Sequence, residues 1–243
     1  MQTKTFFGHP RGLATLFFTE MWERFSYYGM RGILYLFLLA SVESGGMGYN
    51  DETGGAIYGL YTMFVYLLAL PGGWLADNFF GLRKAVFIGG CLIAFGHFLL
   101  FIPTPETFYA GLVTVVMGVG LLKPNISGIV GGLYKADEQS KRDAGFSLFY
   151  TGINLGAFIA PLIVGPIGER ISWNLGFGVA GIGMLIGLVQ YKMTEKYLGD
   201  VGLEPTKLSD PALQSKREKT IKMVLWSFGF FLISLMMLVY TGM

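Results

Sequence analysis

The feature that most constrains this chain is a series of long apolar stretches with few charges. Several of them reach the roughly 20 residues that a helix needs to cross a bilayer. They run over residues 14–41, 54–76, 85–102, 107–132, 144–166, 172–191 and 221–242. Only 14% of all residues are charged, against about a quarter in soluble domains. The apolar runs are continuous and do not alternate, so we predict an all-α integral membrane protein with the lipid bilayer as its solvent.

The charges between the apolar stretches alternate in sign along the chain. The basic positions are Lys4, Arg11, Arg83, Lys84, Lys135, Lys141, Arg142 and the Lys and Arg residues of 192–222. The opposite connections hold Arg170 and the acidic residues Glu43, Asp51, Glu52, Glu106 and Glu169. Because basic loops stay in the cytoplasm, we expect a cytoplasmic N-terminus and six crossings before residue 192. The protein is thus predicted to be a multi-pass protein of the cell (inner) membrane.

The chain divides into three parts by composition. Residues 1–191 are predicted to form a six-helix transmembrane bundle. Residues 192–220 contain Pro205, Pro211 and clustered charge, which is typical of a linker, here basic and cytoplasmic. Residues 221–243 are expected to add one more transmembrane helix. This organisation resembles one half of a larger protein.

Charged residues lie inside the first apolar stretch. Glu20, Glu23, Arg24, Tyr27 and Arg31 are spaced so that they share one helical face. The stripe is about 16 Å long at 1.5 Å per residue. Each ion at the bilayer centre costs at least about 2.5–3.5 kcal/mol. The stripe must therefore face other helices or a water-filled cavity.

Two interpretations of this stripe are open. It can be a static cluster of salt bridges that fastens helices together. Buried ion pairs are often replaceable by apolar groups without loss of stability, which makes them a poor choice for packing alone. Alternatively, it is a site for protons and substrate. A Glu beside an Arg can change its protonation when the Arg is drawn to another anion, which would couple the two.

Lys123 is a further charge inside an apolar stretch, and Pro124 follows it. A helix disturbed by proline is acceptable where it lines a cavity. We expect Lys123 to be the partner of a first-helix carboxylate; the alternative is a lysine that extends to the cytoplasmic interface. Tyr66, Tyr150 and Asn154 are polar groups that can line the same cavity. His97 is interpreted as structural.

Other classes of site find no support in the sequence. The glycines lie inside apolar stretches, so no phosphate-binding loop between a strand and a helix is expected. There is one cysteine and no His-Glu-x-x-His motif, so no metal site is predicted. No serine has an evident histidine base. We therefore expect no enzyme, no catalytic residue, no cofactor and no nucleic-acid partner.

Four segments in the same order resemble the motifs of the proton-dependent oligopeptide transporters of the major facilitator superfamily. They are EMWERFSYYGMR at 20–31, GGWLADNFFGLRK at 72–84, GVGLLKPNIS at 118–127 and FSLFYTGINLG at 146–156. The resemblance covers roughly residues 10–170. It implies the N-terminal bundle of a major facilitator fold.

The resemblance also implies a role for each matching residue. Glu20, Glu23 and Arg24 would couple proton movement, with Lys123 as their partner. Arg24, Arg31 and Lys123 would receive the carboxylate of a peptide. The pocket would be lined by Tyr27, Tyr28, Tyr66, Tyr150 and Asn154. Asp77 and Arg83 would act in gating on the cytoplasmic side.

The implied function is symport of di- and tripeptides with protons. Members of that family have two six-helix bundles with the substrate between them, so the partner of this chain would be a C-terminal bundle that it lacks. The helix at 221–242 would then be the seventh core helix or, as we prefer, an inserted helix. The alternatives are a related carrier of nitrate or another small anion, and a membrane scaffold that does not transport. The scaffold has no need for three cations and two carboxylates in the membrane.

Overall fold

The computed structural model describes residues 5–205, 213–216, 218–223, 226 and 227. The α-helices are α1 Gly12–Leu39, α2 Asp51–Leu67, α3 Ala69–Leu75, α4 Leu82–Phe101, α5 Pro105–Gly132, α6 Gln139–Arg170 and α7 Trp173–Thr194. Each apolar stretch predicted before residue 192 coincides, within about five residues, with one helix or with α2 and α3 together. Most of the predicted helix at 221–242, and residues 206–212 and 217 of the predicted linker, lie outside the described residues.

The second membrane span is interrupted. α2 and α3 meet at Leu68, and a π-helical turn, Ala76–Phe80, follows α3. Pro71 has no N–H to donate to the preceding turn, which explains a break at this point. The span then ends at Gly81, whose φ of 76° favours glycine. It is longer at both ends than the predicted 54–76, running as Asp51–Phe80.

The helices alternate in direction. The contacts between residues show that α1 is parallel to α6 and antiparallel to α7. The pairs are Phe17 with Gly152, Ile33 with Gly168, Trp22 with Gly187 and Ile33 with Gly176. α4 runs opposite to both α5 and α7, and α5 runs parallel to the second span. This is the order that six successive crossings require.

Glycines allow the closest helix contact. A methyl group on Gly89 of α4 would lie 2.7 Å from the carbonyl oxygen of Gly118 on α5. One on Gly96 would lie 2.9 Å from the carbonyl oxygen of Gly111. Small residues let backbones approach in lipid, where no hydrophobic effect drives helices together. The abundance of glycine in the sequence is thus used for packing between α4 and α5.

Five helical stretches of the described residues are long and apolar enough to cross a membrane, namely the second span, α4, α5, α6 and the stretch Trp173–Leu198. α1 is not among them, because it carries the four charged residues of the stripe. It nevertheless packs along α6 and α7 over most of its length. We conclude that the chain is a multi-pass membrane protein in which α1 is an additional span.

One end of the bundle is basic and well packed. The Arg11 guanidinium carbon lies 3.6 Å from the centre of the Tyr197 ring. Tyr197 belongs to a 3₁₀ helix, Glu195–Leu198, that follows α7. The buried Leu198 approaches Gly12, and Val201 approaches Gly132. The bundle therefore includes the first residues of the predicted 192–220 linker, because their apolar side chains fill spaces beside glycines.

Candidate functional site

Glu20, Glu23 and Arg24 form a buried cluster near the middle of α1. They are 2%, 0% and 5% exposed. Arg24 Nε lies 2.7 Å from Glu20 Oε1 and 3.0 Å from Glu23 Oε2. The structure thus places these charges in the interior, as the cost of ions in lipid predicts. One guanidinium serves two carboxylates, which leaves one excess negative charge when both are ionised.

Buried polar atoms without hydrogen-bond partners are concentrated in this cluster and on two tyrosines of the same site. Among the described residues, the buried side-chain oxygens without a hydrogen bond are Glu20 Oε2, both Glu23 carboxylate oxygens and the hydroxyls of Tyr27 and Tyr61. Glu23 is thus near Arg24 without the geometry of a hydrogen bond. A buried polar atom left unpaired costs about 1–3 kcal/mol, so native structures contain few of them. Their concentration at one place favours a functional site over a static cluster.

The close approach of α6 encloses the cluster. Gly156 of α6 lies directly against the Met21 carbonyl oxygen, and a methyl group there would be 3.0 Å from Arg24 Cβ. Gly152, one turn earlier, lies against the Phe17 ring and backbone. The motif at 146–156 therefore supplies small residues where α6 crosses the charged part of α1.

Arg31 continues the stripe toward the other end of α1. Its Nε donates a 2.6 Å hydrogen bond to the Tyr58 hydroxyl on α2. The buried Tyr27 ring lies between the two arginines, with its centre 5.7 Å from Arg24 Cζ and 5.9 Å from Arg31 Cζ. Both distances are within the range of cation–π attraction. The aromatic ring thus separates two like charges on the same helix.

Sequence reasoning missed two tyrosines of this site, Tyr58 and Tyr61. Tyr58 holds Arg31, and the buried Tyr61 ring stacks on Tyr27 with centroids 6.5 Å apart. With Tyr66, they place three phenols along one half of the second span. That spacing is the sequence signal that could have identified them.

Lys123 lies within α5 and not at its end. The helix continues to Gly132, about 14 Å farther at 1.5 Å per residue. The half-buried Lys123 ammonium lies 4.3 Å from the centre of the Tyr66 ring. This position favours the partner role over a lysine that extends to the interface.

The remaining predicted pocket residues occupy a more open face. Tyr66 and Tyr150 are 56% and 53% exposed, Asn154 is exposed, and Tyr28 is half-buried. Tyr150 packs on aromatic neighbours of its own helix. Of the predicted residues, Lys123 and Tyr66 contact each other near the stripe. In the part of the chain described, Tyr150 and Asn154 of α6 make no hydrogen bond to the charged cluster.

The two predicted gating residues are placed differently. Asp77 is exposed on the π-helical turn. Arg83, only 8% exposed, points into the basic end of the bundle. Its Nε donates to the Val201 carbonyl at 2.6 Å, and its Nη2 donates to the Gly199 carbonyl. Arg83 thus holds the segment that follows α7. No group of three or more His, Cys, Asp or Glu suitable for a metal ion occurs among the described residues.

Ionisable groups buried inside a bundle of membrane-length helices are typical of substrate and ion pathways. Comparison with known proteins specifies the class. The model of the POT family matches residues 83–211. This is more than half of the chain, and the chain belongs to the POT family.

Individual relatives agree. The chain is 50% identical over 209 residues to the uncharacterized transporter YclF of Bacillus subtilis (strain 168), covering 86% of this chain and 42% of the relative. It is 44% identical over 238 residues to a di-/tripeptide transporter of Lactococcus lactis subsp. cremoris, covering 95% and 47%. A crystal structure of a peptide transporter POT in complex with sulfate superimposes with a TM-score of 0.89 at 45% identity, covering 99% of this chain and 48% of that one. The chain therefore spans about half the length of the relatives it matches.

Proposed function

We propose that this chain forms one half of a symporter that carries di- and tripeptides together with protons across the cell membrane. The names of its relatives support the substrate class, since one is a di-/tripeptide transporter and another structure is of a peptide transporter. Membership in a transporter family favours transport over catalysis. The proton would be the coupling ion, and no cofactor is required.

The observation that carries the proposal is the buried cluster of Arg24 between Glu20 and Glu23. Its guanidinium contacts both carboxylates, while three of the four carboxylate oxygens lack hydrogen bonds within the described residues. Such a cluster has one more negative than positive charge in its fully ionised form. A bound proton or the nearby Lys123 ammonium can neutralise the excess. We propose these four residues as the proton-coupling site.

A peptide carboxylate would bind on the same face. Arg31 and Lys123 are cations that are not ion-paired to a carboxylate among the described residues. An arriving carboxylate would meet them and also compete with Glu23 for Arg24. When Arg24 is drawn to the substrate, Glu23 loses its counter-ion and takes up a proton. This exchange links substrate binding to protonation.

The rest of the substrate would contact the neighbouring polar and aromatic side chains. We propose Tyr27, Tyr28, Tyr66, Tyr150 and Asn154 as the pocket lining. The exposed residues among them face away from the bundle core, where a second bundle would complete the cavity and bind the amino end of the peptide. Asp77 and Arg83 would act in closure at the basic end.

The same proposal gives the orientation and organisation of the chain. The basic end, with the N-terminal residues, would lie in the cytoplasm because positive charge is retained there. Residues 1–191 would form the six-helix bundle, the first residues after 191 would pack against it, the rest of 192–220 would be a cytoplasmic linker, and 221–243 would be a further span.

The test is uptake of labelled dialanine by proteoliposomes that contain the full-length protein, with and without an imposed proton gradient. We expect uptake that requires the gradient and is competed by unlabelled tripeptide. Labelled nitrate is the control substrate. Uptake of nitrate without uptake of dialanine would contradict the peptide assignment, and gradient-independent accumulation would contradict proton coupling.

A further inference from the structure

His97 of α4 is fully buried and hydrogen-bonded on both sides of its ring. Its Nδ1 lies 2.7 Å from the Ile93 carbonyl oxygen, one turn earlier in the same helix. Its Nε2 lies 3.3 Å from the Ser26 hydroxyl oxygen on α1. The imidazole therefore joins α4 to the helix that carries the charged stripe.

The chemistry of the two partners determines the tautomer. A backbone carbonyl can only accept, so Nδ1 must carry the hydrogen that it donates to Ile93. In a neutral imidazole the other nitrogen then has a lone pair and accepts. The Ser26 hydroxyl is consequently the donor to Nε2. This arrangement is directional and cannot be reproduced by an apolar residue of similar size.

The backbone around His97 has little freedom. A methyl group on Gly181 of α7 would lie 2.9 Å from His97 Cβ. One on the adjacent Gly96 would lie 2.9 Å from the Gly111 carbonyl oxygen of α5. Because α5 and α7 pack so closely against this part of α4, the position of the imidazole is well defined, and its hydrogen bond to Ser26 restrains α1.

Glu23 lies between two polar contacts that α1 makes with other helices. Ser26 is three residues after it, on the next turn. Thr19 is four residues before it; its hydroxyl donates to the Thr15 carbonyl at 2.7 Å and lies 3.1 Å from the side-chain amide of Gln190 on α7. Ser26 and Thr19 are both buried. These contacts, chiefly the Ser26–His97 hydrogen bond, oppose rotation of α1, and a rotation of about 20° would move Glu23 Cβ by on the order of 1 Å.

We infer that His97 is a positioning residue for the proton-coupling site. By accepting the Ser26 hydrogen bond, it sets the rotation of α1 and so the direction in which Glu23 and Arg24 project. This inference rests on the proposed function for its consequence in transport. The hydrogen bonds themselves can be tested without transport.

The first test is ¹⁵N NMR of the full-length protein with labelled histidine. The His97 resonances are assigned by their loss in His97→Gln. We expect Nδ1 to carry the hydrogen and Nε2 to be unprotonated. Ser26→Ala should shift the Nε2 resonance, whereas Thr114→Ala, which removes a hydroxyl bonded within α5, should leave it unchanged. The opposite tautomer, or no response to Ser26→Ala, would overturn the assignment.

The second test is the ratio of proton-driven uptake to counterflow exchange of dialanine. His97→Leu and Ser26→Ala should lower this ratio on the order of tenfold because the coupling groups are displaced. His97→Gln, whose amide can accept from Ser26 and still has a donor, should retain more of it than His97→Leu. Loss of folded protein lowers both activities together and leaves the ratio unchanged.

Failure of the positioning role and failure of the proposed function give different results. An unchanged ratio in His97→Leu and Ser26→Ala, with both activities and the amount of folded protein close to those of the unaltered protein, overturns the positioning role and leaves the proposed function intact. Absence of any dialanine transport by the unaltered protein overturns the proposed function, and the positioning role with it, whatever the tautomer.

Discussion

The Arg31 guanidinium on α1 donates a 2.6 Å hydrogen bond from Nε to the Tyr58 hydroxyl on α2. Its Cζ also lies 5.5 Å from the centre of the Tyr58 ring. One tyrosine therefore contacts this cation through both its hydroxyl and its ring. Arg31 is part of the proposed carboxylate site, so Tyr58 should influence substrate affinity without being charged itself.

Replacing Tyr58 by Phe removes the hydroxyl and keeps the ring. A hydrogen bond to a charged group contributes about 1.5–3 kcal/mol, and part of it should appear as weaker peptide binding. We expect the KM for dialanine uptake to rise about 3- to 10-fold with a smaller effect on kcat. Tyr35→Phe is the control, since its hydroxyl bonds to the exposed Asp51. Equal effects of the two substitutions would contradict a specific role for Tyr58.

Replacing Glu23 by Gln tests the coupling site. The amide is similar in shape but cannot exchange a proton at neutral pH. Proton-driven uptake of dialanine should be lost, while counterflow exchange, which needs no net proton movement, should persist. Glu43→Gln, at an exposed acid of the opposite end, should transport normally. Persistent proton-driven uptake in Glu23→Gln would exclude the coupling role.

Replacing Lys123 by Ala distinguishes its two interpretations. A partner of Glu23 should be required for proton-driven uptake, because its loss leaves the buried carboxylates with a single cation. A lysine that only reached the interface would be replaceable. We expect loss of proton-driven uptake in Lys123→Ala and little change in Lys135→Ala, where the lysine is exposed in a loop. A neutral Lys123→Ala would support the interfacial interpretation.

Replacing Gly156 by Ala tests the packing over the cluster. The added methyl group would meet the Met21 carbonyl oxygen and Arg24 Cβ. Such overpacking costs about 1–3 kcal/mol, so the Tm of the purified protein in detergent should fall by several degrees. Gly59→Ala is the control, because a methyl group there has open space. A Tm for Gly156→Ala as high as that of the control would contradict the close approach of α6.

Replacing Arg83 by Gln tests the basic end. Arg83 donates to the carbonyls of Gly199 and Val201, and its N–H bonds to the Gly202 carbonyl. Without the guanidinium, the segment 199–203 should open more readily and its amides should exchange hydrogen faster. Mass spectrometry of hydrogen exchange measures this without any transport assay. Lys84→Gln, at the exposed neighbour, should have no such effect.

Much of the fold follows from the apolar stretches. The five predicted segments that coincide with α1, α4, α5, α6 and α7 differ from them by five residues or fewer at each end. The second span differed in its internal structure, because the sequence shows Pro71 but not how the chain continues past it through α3 and a π-helical turn. The extent of the bundle beyond residue 191 was not foreseen, because Leu198 and Val201 acquire their significance only beside Gly12 and Gly132.

The candidate site divides in the same way. The inward direction of Glu20, Glu23 and Arg24 was predictable. Their spacing places them on one face of the helix, and charged side chains on a face in contact with lipid would be too costly. The engagement of Arg83 with the segment after α7 was not, because its acceptors are backbone carbonyls that no side-chain pattern reveals. His97 was interpreted as structural, and its contact with Ser26 could not be predicted because the two residues are 71 positions apart in the sequence.

The sequence by itself therefore determined which segments enter the membrane and which face of α1 avoids lipid. Both follow from residue type and helical spacing, which are local properties. Only the tertiary structure decided the partners: Tyr58 for Arg31, Tyr66 for Lys123 and Ser26 for His97. Those pairs join different helices, so they depend on how glycines let the helices approach and on the rotation of each helix about its axis.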